Sequence, residues 1–213
     1  MESSVYIFAP TFSSFARSVM LCCEEKGIHY TCGMAPAGTE IRSKSPEHFA
    51  IHPYGKLPAL LHDGQILIET STICRYLDAR FDGPALQPAD LFERARVDER
   101  SAEIALYIDQ ALLRDIVLEF AFPKGADGQV RLDKVQERLP AARSALKRVR
   151  ELLADNPFIC GRHYSMADAL LTPILDYVAR LPLGDELIGN GAVKEYLERM
   201  RQRPSGQKVL NMA

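Results

Sequence analysis

Residues 52–73, HPYGKLPALLHDGQILIETSTI, decide more about the fold than any other stretch of the chain. They read as a turn, a strand, a tight Asp63-Gly64 hairpin, a second strand and a helix start. Leu57-Pro58 stands directly before the first strand, where an X–Pro bond can be cis. A cis bond there turns the backbone N–H and C=O of Leu57 outward, free to pair with an extended peptide as an added strand. Glu69-Thr70 stands where the helix begins, and a helix N-terminus attracts a carboxylate through its free N–H groups and its dipole. One short segment thus offers a peptide-backbone clamp beside an anion pocket.

The residues before it alternate strand and helix signals. Val5-Tyr6-Ile7-Phe8 is a short apolar run suited to a buried strand. From Phe15 onward, Phe15, Ala16, Val19, Met20 and Cys23 share one helical face, and Gly27 supplies the stop. A second strand is expected over 28–34, parallel to the first through a right-handed crossover. Segment 35–50 reads as loop with one short helix. The hairpin and a helix over 70–80 follow. The order β-α-β-loop-β-β-α is that of a thioredoxin-like domain, here residues 1–82. Residues 83–90 read as a linker in the Pro- and Gly-containing run 81–90. Residues 91–213 read as an all-helical bundle: Leu132, Val135, Leu139, Ala142, Leu146, Val149 and Leu153 repeat at steps of three and four. Pro140 interrupts that seam, so a kink or break is expected there.

Composition narrows the function classes. A net charge of −2 gives no basic field for nucleic acid. No apolar run approaches the roughly 20 residues of a membrane span, and the first residues carry no secretory signature. The five cysteines form no C-x-x-C pair, so buried free thiols in a reducing cytoplasm are expected, and no metal site.

Four clusters carry chemistry-bearing side chains. Thr11-Phe12-Ser13-Ser14 precedes the first helix, which also bears Arg17; either serine could simply cap that helix. Lys44-Ser45-Pro46-Glu47 lies in the loop before the hairpin. Leu57-Pro58 and Glu69-Thr70 form the third cluster. Ser165-Met166-Ala167-Asp168 reads as a capping box opening the apolar helix 169–178, with no chemistry assigned to it.

Taken together, these residues resemble the glutathione S-transferase family, most closely its serine-type, phi-like pattern. The match runs through Ser13-Ser14-Phe15-Ala16-Arg17-Ser18-Val19, Lys44, Leu57-Pro58, Glu69-Thr70 and the box at Ser165. The resemblance implies a transferase that binds glutathione as co-substrate, with no permanently bound cofactor. Ser13 would stabilise the thiolate, with Ser14 as runner-up and Arg17 adding positive potential. Lys44, Lys56, Leu57, Pro58, Glu69 and Thr70 would hold the tripeptide. Phe12, Tyr107, Leu113, Phe120 and Phe122 would line the pocket of a small apolar electrophile. The sequence departs from the pattern at Ser43, Lys56 and His52, where relatives often carry histidine, glutamine and asparagine; His52 reads as structural. The resemblance further implies a cytoplasmic, detoxifying homodimer. Rival readings keep the fold: a non-catalytic ligand-binding or protein-interaction member, or a glutathione-dependent peroxidase or thiol oxidoreductase.

Overall fold

The computed structural model describes residues 5–212; residues 1–4 and 213, which the sequence reading includes in its first and last segments, lie outside the described residues. Four strands, β1 (Val5–Phe8), β2 (Tyr30–Gly33), β3 (Ala59–His62) and β4 (Gln65–Ile68), form one sheet in the order β2-β1-β3-β4. β1 pairs parallel to β2 and antiparallel to β3, with Ile7 facing Cys32 on one side and Leu60 on the other. At the hairpin, Asp63 and Gly64 both have positive φ, 50° and 72°, as a two-residue turn that follows strand twist requires. β2 is shorter than the 28–34 expected. Ile28 is spent on closing the preceding helix, its N–H bonded to the Cys23 carbonyl, while Gly27 takes φ 71°.

Three helices flank the sheet segment: α1 (Ser14–Lys26), α2 (Pro46–Ile51) and α3 (Thr70–Arg80). Residues 83–90 hold no helix or strand but are tied down. Lys26 Nζ donates to Asp78 Oδ1 at 3.0 Å and to the Pro84 carbonyl at 3.2 Å, and the Leu86 N–H reaches the same Asp78 oxygen. A Cβ at Gly83 would lie 2.6 Å from the Lys26 carbonyl oxygen, so the chain passes α1 too closely for a side chain.

The second part is helical. α4 (Leu91–Glu103) runs into a wider-wound π-helical stretch, Ile104–Val117, and on into α5 (Leu118–Ala121). Then come α6 (Leu132–Leu153), α7 (Met166–Ala179), α8 (Gly184–Ile188), α9 (Ala192–Gln202) and α10 (Pro204–Val209). Of the kink or break expected at Pro140, the break does not occur: α6 runs unbroken from Leu132 to Leu153. Gln136, whose carbonyl loses a partner there, is exposed to water, and the buried seam from Val135 to Leu153 holds both sides. Leu132 is 63% exposed, so the seam starts one step later than expected. α7 is buried along almost its whole length and packs against α1 and the π-helical stretch. Its start is fixed by buried Asp168, which accepts from the Ser165 N–H and Oγ, the Ile159 N–H and the Tyr196 hydroxyl. Among the described residues no helix is long and apolar enough to cross a membrane.

Candidate active site

The β1–α1 turn, the residues before β3 and the end of the long helix meet around two adjoining hollows. One, of about 420 Å³, is lined by Phe12, Ser13, Ser14, Phe15, Lys56 and Leu57 from the sheet side. Leu113, Arg114, Val117, Leu118, Ala121, Phe122 and Tyr177 line it from the helical side. The other, of about 640 Å³, shares Pro10, Phe12 and Leu57 and extends over Glu40, Ile41, Arg42 and Ser43. Leu57 therefore stands on the ridge between them. The Leu57–Pro58 bond is cis, and the backbone N–H and C=O of Leu57 have no partner among the described residues. Pro58 itself is buried behind it.

Ser13 is the N-cap of α1. Its Oγ accepts the Ala16 N–H at 3.4 Å, a long bond that leaves the hydroxyl proton available. Capping and donating toward the cleft are thus compatible jobs for one side chain. Ser14, the next residue, is buried and also lines the cleft. The turn that carries Ser13 is held from two sides. Arg17 Nε donates to the Thr11 carbonyl at 3.0 Å, and Tyr177 Oη donates to the Phe12 carbonyl at 2.5 Å. Arg17 is 4% exposed, also donates to the Met212 carbonyl, and lies over the Tyr177 ring. Its guanidinium braces the turn and the chain end and does not line the cleft.

Lys44 and Lys56 are linked by a residue the sequence reading did not single out. The Lys44 N–H donates to Nδ1 of His48 at 2.9 Å. Because Nδ1 accepts, the ring proton belongs on Nε2, which donates to the Lys56 carbonyl 3.0 Å away. His48 is fully buried and packs edge-on against Phe8, so one neutral imidazole clips the two lysine-bearing turns together. A buried imidazole on a six-residue helix left no periodic signal to read. Lys44 itself sits at φ 60° with an exposed side chain, outside both linings.

Glu69, the residue before α3, has φ 69° and ψ 112°, a conformation that costs a non-glycine residue on the order of 1–3 kcal/mol. Its carboxylate makes no capping bond to α3 and stays exposed beside the helix start at Thr70. Buried His52 lies behind it, its imidazole held below the usual value first by burial, with the Glu69 charge pulling the other way.

On the helical side, Leu113 and Phe122 reach the cleft as expected, together with Phe12. Tyr107 and Phe120 do not. Tyr107 is 70% exposed and absent from either lining, and Phe120 packs against the core. Val117 and Ala121, four and eight residues after Leu113, line the cleft beside it, a helical spacing the sequence carries. Phe15, Arg114, Leu118 and Tyr177 were missed as well. Asp109, 3% exposed, accepts from Arg114 Nε at 2.8 Å; burial pushes its carboxyl up, against the pull of Arg114 and then Lys56.

The thiols stand apart from this site. Cys22 and Cys23 are buried along α1, and both are pushed up, Cys22 by its hydrogen bond with Cys74 and then burial, Cys23 by burial. They are poor nucleophiles in that setting.

A thioredoxin-like sheet layer joined to a helical bundle, with a cleft where they meet, is the class of protein that this geometry defines. Comparison with known proteins agrees. The model of the glutathione S-transferase N-terminal domain matches residues 12–80, and that of the C-terminal domain matches residues 111–204. The glutathione S-transferase GstA of Escherichia coli O157:H7 is 28% identical over 210 residues, covering 96% of each chain. Glutathione S-transferase F12 of Arabidopsis thaliana is 25% identical over 213 residues, covering 98% of each. In fold, poplar glutathione transferase F1 superposes with a TM-score of 0.86 at 23% identity, over 98% of this chain and 97% of that one. The chain belongs to the glutathione S-transferase family.

Proposed function

We propose that this protein is a glutathione transferase in which Ser13 stabilises the glutathione thiolate for attack on small apolar electrophiles. The observation that carries the reading is the Ser13 hydroxyl at the mouth of α1, inside an apolar-walled cleft and beside the unpaired backbone edge at Leu57. The tripeptide pairs as an added strand with that edge. Its γ-glutamyl amine meets the uncapped Glu69 carboxylate, and its α-carboxylate meets the free N–H groups at Thr70. Lys44 and Lys56 serve the glycyl carboxylate. A free thiol titrates near roughly 8.5, and a hydroxyl donating to sulfur favours the charged form. In a substitution on an aryl halide, sulfur forms the new bond to carbon, halide leaves with the bonding pair, and the thiol proton goes to water. The oxidoreductase alternative has less support, since the cysteines of α1 are buried and raised. Membership of the family supports a cytoplasmic, detoxifying role as the accompanying proposal.

The test is steady-state turnover of an activated aryl chloride with glutathione. Ser13→Ala lowers kcat at least about tenfold, one pKa unit's worth of thiolate, and leaves glutathione affinity nearly unchanged. Equal turnover in both proteins would remove Ser13 from the mechanism.

A further inference from the structure

The cleft holds a cation that thiolate stabilisation leaves unused. Arg114 lies in the π-helical stretch Ile104–Val117. In an α-helix, residues five apart point about 140° away from each other. The wider winding brings them together, and two such pairs bond here: Arg114 Nε to Asp109 Oδ2 at 2.8 Å, and Gln110 Nε2 to Asp115 Oδ1 at 3.0 Å. π-Helical turns are rare and recur at functional sites. This one sets an arginine into a cleft wall otherwise built from Leu113, Val117 and Phe122.

The Asp109 bond uses Nε alone. The two terminal nitrogens of Arg114 have no hydrogen-bond partner among the described residues, and the guanidinium rests 5.9 Å from the Phe15 ring centre. Asp109 is sunk into the wall and fixes the arginine from behind. Among the described residues no acidic side chain lines this hollow, while two cations, Arg114 and Lys56, do. A planar guanidinium fork open on an apolar wall matches a carboxylate in two-point contact, and a neutral occupant leaves it unpaired.

We infer that the electrophile this cleft selects carries a carboxylate on an apolar body, and that Arg114 recognises it. The inference rests on the proposed function for the identity of the site and goes beyond it in naming the substrate class.

The test is a matched pair, 4-chloro-3-nitrobenzoate and 4-chloro-3-nitrobenzamide, with glutathione and either the native protein or Arg114→Gln. The quantity read is the ratio of the two kcat/KM values, in which the intrinsic reactivity difference cancels between proteins. The ratio of acid to amide falls about tenfold or more in Arg114→Gln, as loss of a charge-assisted contact demands, and part-way in Arg114→Lys, which keeps the charge without the fork. Glutathione affinity stays unchanged. An unchanged ratio overturns the inference, as does a parallel loss of glutathione affinity, which would give Arg114 to the tripeptide. Should neither compound turn over, the proposed function fails separately. Calorimetry with 4-nitrobenzoate and 4-nitrobenzamide alone then decides: a native preference for the acid that Arg114→Gln abolishes supports the inference, and equal binding by the two proteins overturns it.

Discussion

Ser13 caps α1 and lines the cleft, and the two roles draw on different parts of one hydroxyl: the oxygen accepts the Ala16 N–H while the proton is free to donate. His48 works differently. It touches neither hollow, yet its two ring nitrogens hold the Lys44 turn and the Lys56 turn at once. Replacing it by phenylalanine keeps the packing against Phe8 and removes both bonds. His48→Phe is expected to raise KM for glutathione about tenfold while kcat at saturation holds, since the clip acts on binding. Isothermal titration of glutathione reads the same loss directly. Glu69 belongs at this scale too. Its strained backbone and uncapped carboxylate suit an ammonium partner, so Glu69→Ala weakens glutathione binding with little effect on α3. Unchanged affinity would contradict that placement. These residue roles were unevenly legible. Ser13, Leu57 and Glu69 sit at element boundaries that the sequence marks by itself. His48 and Arg114 gain their positions from tertiary contact and from non-α winding, for which a linear pattern carries no mark.

At the scale of elements, the strands β1, β3 and β4 and helix α3 stand where apolar runs, the Asp63-Gly64 turn and Thr70 put them. Local rules were insufficient where packing overrides them. Helix α6 passes through Pro140 because its seam is buried on both sides, and β2 is shortened because Ile28 closes the cap of α1. One ion pair ties the loop that follows the cleft wall back to α5. Glu119 in α5 takes both oxygens to Arg131: Nε at 2.9 Å, Nη2 at 2.7 Å, with the Arg131 N–H at 3.2 Å. This strap draws the end of the 122–131 loop back to the helix that carries the cleft wall. The hydrogen bonds of Arg131 lower the Glu119 carboxyl from 4.5 to about 2. A carboxyl lowered in the folded protein stabilises it fully above its ordinary value, and the stabilisation is lost as pH falls through the folded value. The thermal-stability difference between native protein and Glu119→Gln is therefore present at neutral pH, shrinks below about 4.5 and vanishes near 2. A difference that does not change across that window would show that the strap is not ionic.

The whole molecule joins its two parts through buried contacts as well as charge. α1 packs on α7, and Arg203, the residue before α10, holds Glu25 of α1 with two bonds of 2.8 and 2.6 Å. The cleft needs both parts, since Ser13 comes from one and Leu113 and Phe122 from the other. Ile66, Leu91, Phe92, Leu106 and Tyr107 remain exposed, each at least 46%, on β4, α4 and the π-helical stretch. We propose that a second copy covers side chains of this group, which would give the homodimer that the family resemblance implies. Sedimentation equilibrium is expected to give twice the mass of one 23.8 kDa chain, and Phe92→Glu with Tyr107→Glu to shift it toward the monomer. A native monomer at working concentration would remove the dimer from the account.

In the proposed mechanism a serine hydroxyl holds the sulfur of glutathione as its anion. Ultraviolet titration of the thiolate absorbance of protein-bound glutathione tests it most directly. In the native protein the bound thiol should titrate at least about one unit below the roughly 8.5 of a free thiol, and in Ser13→Ala it should return to that value with the tripeptide still bound. A bound thiol that titrates alike in both proteins would contradict the account.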